Sequence, residues 1–259
     1  MSHNSNLPLV SCIMPTRDRR DFVFQAIQYF QRQDYPSREL LIIDDATQDL
    51  SRELPNDSRI RYILEPPGLS VGAKRNRGCE LARGQIIAHW DDDDWYAPSR
   101  LSSQVQPIVT GSADISAFGD CTFFDLSKWM FWRCTPVIFG RMYVGGAHAG
   151  TLVYRRKLFE LGIRYPRVSL AEDAHFLYQC HQRGATVQHL LSGNLFLYVR
   201  HSQSTWKFTC GEYIDARQWT RVPEPDIPEA DRQFFEVRST AKRGLESVSP
   251  PPQRQQHDR

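Results

Sequence analysis

Gln85-Ile86-Ile87-Ala88-His89-Trp90-Asp91-Asp92-Asp93-Asp94 is an apolar run that halts against four consecutive aspartates. It predicts a strand that turns polar abruptly at its carboxyl end. The same break recurs upstream: residues 9–14 stop at Pro15-Thr16-Arg17-Asp18, residues 39–43 at Asp44-Asp45, and residues 59–64 at Glu65-Pro66-Pro67-Gly68. Helical spacing lies between these runs, in Phe22, Val23, Ala26, Ile27 and Phe30 and again from Ser70 to Arg83 before Gly84. Unbroken apolar strands alternating with helices imply an α/β fold whose parallel sheet is covered on both faces. In such sheets ligands bind beyond the carboxyl ends of the strands, where each run here becomes polar.

Pro98 reads as the first residue of a helix carrying Leu101, Val105 and Ile108. Beyond Gly111 the rhythm changes to aromatic-rich segments at 114–124, 129–135 and 151–154, which predict mixed strands. A last clear helix is expected from about 170 to 183 before Gly184, then a strand over 186–191. From Val222 onward Pro223, Pro225, Pro228 and Pro250-Pro251-Pro252 mark a Pro-rich tail, 222–259, in which Phe234 and Phe235 have the domain, a partner or a membrane surface to dock on. Its last 20 residues hold only Ala241, Leu245 and Val248 as apolar members, which predicts disorder there. No internal repeat is present.

The 259 residues are 41% apolar, with 32 Lys+Arg against 30 Asp+Glu. That composition supplies one sizeable core, and a net charge of +2 argues against a nucleic-acid partner. No apolar window is long enough to span a membrane and the N-terminus lacks a secretory pattern, so a cytoplasmic protein is expected, with peripheral membrane contact and a homodimer left open. Six scattered cysteines without a C-x-x-C pair read as reduced core residues.

The acidic run 91–94 has two readings: a solvated turn, or a cluster whose mutual repulsion is relieved by a hard divalent cation that also takes substrate phosphate. Residues 68–78 offer a glycine-bearing turn, a Ser70 N-cap and the cations Lys74 and Arg75, features suited to a diphosphate. Ser169-Leu170-Ala171-Glu172 fits a capping box that would fix the first turn presenting Asp173. Trp95, Tyr96, Trp129, Trp132 and Trp206 are either core residues or a sugar-stacking surface.

Taken in order, these motifs resemble the family 2 glycosyltransferases from about Val10 to His201. Residues 10–17 resemble that family's first strand and nucleotide loop, 40–47 its second strand and acidic pair, and 72–78 its arginine and asparagine helix. Asp91-Asp92-Asp93 is similar to its DXD motif and Glu172-Asp173 to its late acidic pair. The resemblance implies a GT-A (Rossmann-like) fold: a mostly parallel sheet flanked by helices over residues 1–221, with a nucleotide-sugar half at about 7–110 and mixed strands in an acceptor half at 111–221. It implies an inverting transferase that uses Mn²⁺ or Mg²⁺ and a nucleotide-diphosphate sugar, a UDP-sugar foremost, with an acceptor the family does not identify. Donor contacts fall on Pro15, Thr16, Arg17, Asp44, Asp45, Lys74, Arg75, Asn76, Asp91 and Asp92; metal ligation on Asp93 and His201; acceptor contacts on Glu172, Gly146 and His148. Asp173 is the implied general base. Lys74 stands where many members carry a small residue, and His89-Trp90 replace a more usual aliphatic-aromatic pair, so donor choice does not transfer.

Competing readings are a haloacid-dehalogenase-type phosphatase, whose first-strand D-x-D-x-[TV] motif is absent, and a sugar nucleotidyltransferase, whose glycine-rich loop is absent. A non-catalytic sugar-nucleotide or glycan-binding module is the third, and it would not need Asp173.

Overall fold

The structure, a computed structural model, describes residues 7–240. The chain runs β1 (Val10–Thr16), α1 (Arg20–Gln31), β2 (Arg38–Asp44), β3 (Ile60–Leu64), α2 (Val71–Leu81), β4 (Ile86–His89), β5 (Trp95–Tyr96) and α3 (Arg100–Val109). It continues through β6 (Ile115–Phe118), β7 (Thr122–Asp125), β8 (Met130–Cys134), α4 (Pro136–Met142), β9 (Val153–Arg155), α5 (Lys157–Glu160), α6 (Glu172–Gln182), β10 (Val187–Leu190), β11 (Phe196–Arg200), β12 (Trp219–Val222) and α7 (Glu229–Glu236). Seven strands form the main sheet in the order β10-β6-β9-β4-β1-β2-β3. β1 runs parallel to β2 and β4, and Cys12 pairs with Leu40 on one side and Ala88 on the other. Only β9 runs antiparallel to its neighbours β4 and β6. The expected α/β architecture with a mostly parallel sheet is therefore present.

Apolar runs become central strands here because both faces are covered. Cys12, Met14, Leu40, Ile42, Ile86 and Ala88 pack to one side with α1 and α3, whereas Ile13, Leu41, Ile43 and Ile87 pack to the other with α2 and α6. That alternation is the period of two in which successive strand side chains point to opposite faces. Five of the six free cysteines are buried and none is paired.

The segment expected as one strand over 114–124 is two. Gly119 to Cys121 breaks it, leaving β6 in the main sheet and sending β7 into a second sheet of five strands, β12-β8-β7-β11-β5. This mixed sheet brings the end of β11 back toward the acidic loop after β4, where Asp94 accepts from the Val199 N–H. Pro98 stands outside α3, which begins at Arg100.

The segment after Val222 also departs from expectation. Asp231 on α7 is fully buried and accepts hydrogen bonds from Gln25 (3.2 Å), Arg32 (2.7 Å) and Trp95 (2.8 Å). Phe235 meets Phe124 edge-on at 5.4 Å and Phe234 meets Phe22 at 5.6 Å. Of the three docking places considered for these two rings, they occupy the domain itself. Residues 241–259, which carry most of the stretch expected to be disordered, lie outside the described residues.

Candidate active site

A cleft of about 360 Å³ opens at the carboxyl ends of β1 and β4 and is closed on its far side by α6, the end of β11 and the 142–150 segment. Its β4-side wall is built around the four aspartates, which are not a solvated turn. Asp92 and Asp94 are only 3% and 1% exposed, and each of the four has its own partner. Asp91 accepts from Arg75 (2.8 Å), Asp92 from Thr16 Oγ1 (2.6 Å), and Asp94 from the Val199 N–H (2.9 Å), which stitches the acidic loop to β11. Asp93 is 3.0 Å from His201 Nε2. Arg19 bridges Asp92 and Asp93 from one nitrogen, at 2.9 and 2.8 Å, while its other nitrogen reaches the Gln203 carbonyl at 2.6 Å.

These partners sort the carboxyl groups. Burial pushes Asp92 up to about 6 although Arg19 opposes it. Burial also acts on Asp93, but the His201 hydrogen bond and the Arg19 charge outweigh it and hold that carboxyl at about 2. One loop thus carries a carboxyl whose ionised form its partners favour beside one whose ionised form burial disfavours.

Arg75 crosses the cleft floor. Its Nε donates to Glu172 (3.1 Å) while Nη2 holds Asp91, so one guanidinium joins the β4 acids to the first turn of α6. Two glycines make this reach possible by letting α2 pack tightly. A Cβ on Gly78 would lie 2.4 Å from Ile13 Cγ2, and one on Gly72 would lie 1.9 Å from the Pro166 carbonyl oxygen.

The α6 end does not use the expected capping box. Ala171 is the N-cap, in the left-handed region at φ 61, with no side-chain cap, and Ser169 Oγ accepts instead from the Val71 N–H at 3.2 Å. A non-glycine residue held there stores strain of about 1 kcal/mol or more, next to the acids it presents. Asp173 lines the cleft one residue into the helix. Burial and then the like charge of Glu172 push it up to about 7, against the pull of Arg75. A carboxyl group so placed is poised to exchange a proton near neutrality.

Several expected donor contacts are engaged within the protein instead. Lys74 Nζ binds Asp45 (2.6 Å) and the Thr16 carbonyl (2.8 Å) and does not line the cleft. Asp45 also accepts from the Gly68 and Leu69 N–H groups, and Asp44 from Tyr62 and the Ala46 N–H, so base recognition by either requires exchange of these bonds. Asn76 clamps the Tyr165 backbone through both ends of its amide. The N-terminal N–H groups of α2 are taken by Ser169, Val168 and Ser70, which removes the phosphate cradle expected there, although Ser70 is the N-cap anticipated. Arg17 is half-exposed, 3.9 Å from Asp45. Pro15, Arg75, Asp91, Asp92, Asp93, Glu172, Asp173 and His148 do face the cleft; Gly146 lies off its wall, which Tyr143 and Val144 form there.

His148 is fully enclosed by Tyr143 (4.4 Å), Tyr198 (4.6 Å) and Phe196 (5.3 Å). Burial lowers it to about 3, so the ring is neutral at physiological pH. Neither of its nitrogens has a partner within the described residues. Of the aromatic candidates only Trp206 lines the cleft, whereas Trp95 and Tyr96 are core. Residue patterns did not single out Arg19, Tyr143, Tyr198 or Arg200; the one available signal was the density of arginines at 17, 19 and 20 just after β1.

The implied metal was tested against this geometry. Among the described residues no three His, Cys, Asp or Glu side chains converge as a cage. Asp93 Oδ2 and His201 Nε2, however, pair a hard oxygen with an imidazole nitrogen 3.0 Å apart. That spacing suits two adjacent ligands of an octahedral ion with bonds of about 2.1 Å, whose other positions go to phosphate and water. The pair fits a divalent ion that takes its remaining ligands from outside this set of side chains.

A family model described as Glycosyl transferase family 2 matches residues 11–160. A protein of Escherichia coli (strain K12) carrying the provisional name of a colanic acid biosynthesis glycosyl transferase, WcaA, is 39% identical over 113 residues, 40% of this chain and 40% of that one. The chain spans about half or less of the length of the first curated relatives it matches. Among solved structures, S. aureus TarS 1-349 in complex with UDP-GlcNAc superposes with a TM-score of 0.62 at 17% identity, covering 79% of this chain and 62% of that one. The mannosyltransferase PcManGT from Pyrobaculum calidifontis, in complex with GDP-Man and Mn²⁺, superposes with a TM-score of 0.58 at 18% identity, covering 74% and 56%. Both likenesses identify the GT-A fold.

Proposed function

The chain belongs to glycosyl transferase family 2, and we propose that it moves a sugar from a nucleotide-diphosphate donor to an acceptor hydroxyl with inversion, Asp173 acting as general base. The observation that carries this reading is the placement of Asp173, raised to about 7, in one cleft with the Asp91–Arg75 pair and with Asp93, whose carboxylate meets His201 just outside the cleft lining. A module that only bound sugars would gain nothing from a half-buried cleft carboxylate repelled by its neighbour.

In this scheme the donor lies along the β4 acids, with Pro15 and Asp91 on its nucleotide side. Arg75 keeps Asp91 and Glu172 fixed, so the donor sugar meets a wall that does not reorganise. Asp173 takes the acceptor proton as the new bond forms on the face opposite the departing nucleotide. His148, neutral and lacking partners, offers one donor and one acceptor nitrogen to a sugar hydroxyl beside the Trp206 ring. A divalent ion held by Asp93 and His201 would supply charge neutralisation at the diphosphate. Arg19 already occupies the Asp93 oxygen, so loading of the site requires it to shift or share that ligand.

The donor class is tested by calorimetric titration of UDP, GDP and dTDP, with and without Mn²⁺, on wild type and Asp93→Ala. Metal-dependent binding of one nucleotide, lost in Asp93→Ala, is expected. Folded wild type that binds none of them would refute the transferase reading.

A further inference from the structure

Arg19 stands in the N-cap position of α1, and its side chain caps nothing. Ser, Thr, Asp and Asn serve that position best, yet Asp18 is placed one residue too early and turned into the left-handed region at φ 51. The local helix rule is given up, and the Arg19 side chain crosses instead to the acidic loop, where it is 19% exposed.

There it meets the Asp93–His201 edge. Arg19 Nη1 donates to Asp93 Oδ2 at 2.8 Å, the same oxygen that lies 3.0 Å from His201 Nε2, and to Asp92 Oδ1 at 2.9 Å. The imidazole is fixed from its other side. Its Nδ1 accepts from the Gln203 N–H at 3.3 Å, so the ring hydrogen sits on Nε2 and is donated to Asp93. Gln203 also holds Arg19, whose Nη2 donates to its carbonyl at 2.6 Å. The backbone of one residue thus sets both the histidine tautomer and the arginine. Phe22 stacks on the imidazole at 5.0 Å, and Ser204 Oγ accepts from the His201 N–H at 3.1 Å, which keeps the turn in place.

A divalent ion at this edge needs what the circuit already uses, a free Asp93 oxygen and an imidazole nitrogen without its hydrogen. Two protein ligands alone offset little of the cost of displacing a guanidinium from two carboxylates. Arg200 adds a positive charge that acts on Asp93 without a hydrogen bond to it. Among the described residues no third acid, cysteine or histidine converges there to help.

We propose that Arg19 is a competitor built into the site, the resident cation of Asp92 and Asp93. It leaves the protein a poor binder of divalent ions by itself, so that an ion is loaded together with a nucleotide whose phosphates supply further ligands. This rests on the transferase reading above and gives Arg19 a positioning role in it. The acids stay paired and the loop stays fixed until the donor arrives. By linkage, nucleotide and ion then strengthen each other's binding by the same factor.

The test follows Mn²⁺ uptake without nucleotide, read from the free-ion EPR signal, for the full chain as wild type, Arg19→Gln, Arg17→Gln and Arg19→Gln/Asp93→Ala, each checked by thermal melting. Arg19→Gln is expected to bind Mn²⁺ about 10-fold more tightly than wild type, as loss of one charge-assisted competitor predicts. Arg17→Gln removes the same charge from a half-exposed neighbour and should change the affinity by no more than about 2-fold. The gain should vanish in the double variant. Equal affinity in wild type and folded Arg19→Gln overturns the inference, as does an equal gain in Arg17→Gln or a gain that survives Asp93→Ala; each leaves the transferase reading in place. Wild type gives a second reading that needs no change at Arg19. Long-range ¹H–¹⁵N NMR of the histidine rings, with His201 assigned by its loss in His201→Gln, should show the hydrogen on Nε2, and hydrogen on Nδ1 alone contradicts the closed circuit. UDP and GDP titrated into wild type in Mn²⁺ and in EDTA test the loading order, which falls if Mn²⁺ strengthens neither. Wild type that binds neither nucleotide under either condition overturns the transferase reading and the loading order together.

Discussion

The two walls of the cleft differ in how their charged and polar groups are paired. On the donor side every acid of the 91–93 run is already paired, to Arg75, Thr16, Arg19 or His201. On the β11 and 142–150 side Tyr143 Oη, both nitrogens of His148 and Arg200 Nε are buried with no hydrogen-bond partner among the described residues, whereas among the β4-side acids and their arginines only single atoms of Arg75 and Asp94 are so left. A wall that satisfies itself is fixed before substrate arrives, whereas a wall left unsatisfied is completed by what binds to it. The proposed function places its general base at the seam, where Asp173 stands between Glu172 of the paired network and the aromatic wall.

The largest effect that sharpens this contrast is at the seam itself. Asp173→Asn should lower turnover by about 10²- to 10⁴-fold with the fold intact, as loss of a general base does. In wild type turnover should climb with pH through about 7 as that carboxyl ionises. The sign for stability is opposite. The folded state raises this pKa above the ordinary carboxylate value of about 4, so its favourable contribution is complete at low pH and is lost as pH rises toward about 7. Thermal melts at pH 8 should therefore show Asp173→Asn more stable than wild type, and a lower Tm there would count against the Glu172 repulsion.

Next comes the paired wall. Arg75→Met leaves Asp91 and Glu172 without their shared cation, and urea denaturation should show a loss of about 3–5 kcal/mol, the cost of breaking a buried pair from one side. His148→Phe on the unsatisfied wall should instead leave stability within about 1 kcal/mol, since no hydrogen bond within the described residues is removed. Equal losses at both positions would dissolve the distinction between the halves.

Smaller effects test how tightly the walls are held. Gly78→Ala forces a methyl to within 2.4 Å of Ile13 Cγ2 and should destabilise by about 1–3 kcal/mol in the same assay. Ala171→Gly should stabilise by about 1 kcal/mol, because glycine adopts the left-handed conformation without strain. If Ala171→Gly also slows turnover, the strain serves to aim Asp173.

Much of the N-terminal half was legible in the residues because its strands are buried on both faces: the apolar runs read at 9–14, 39–43 and 85–90 are the strands 10–16, 38–44 and 86–89, and their polar ends mark the cleft. Ser70 as an N-cap was legible for the same local reason. What escaped depends on contacts distant in sequence. Ser169 serves Val71 instead of capping α6, Lys74 turns inward to Asp45, and Arg19 crosses to an acidic loop more than seventy residues away. The 114–124 segment looked continuous because apolar and aromatic residues stand on both sides of Gly119 to Cys121, and nothing local announces the change of sheet there. Helix α7 was masked by flanking prolines, although its buried Asp231 ties it to α1 and Trp95.

The most direct test is proton NMR of UDP-glucose, UDP-GlcNAc and GDP-mannose incubated with the protein and Mn²⁺, following nucleoside diphosphate release and the anomeric configuration of the first product formed, with water as acceptor. The account predicts release from one donor with inverted configuration in the initial product, and a loss of at least about 10²-fold in Asp173→Asn. Equal release by wild type and Asp173→Asn, or a product of retained configuration, would contradict it.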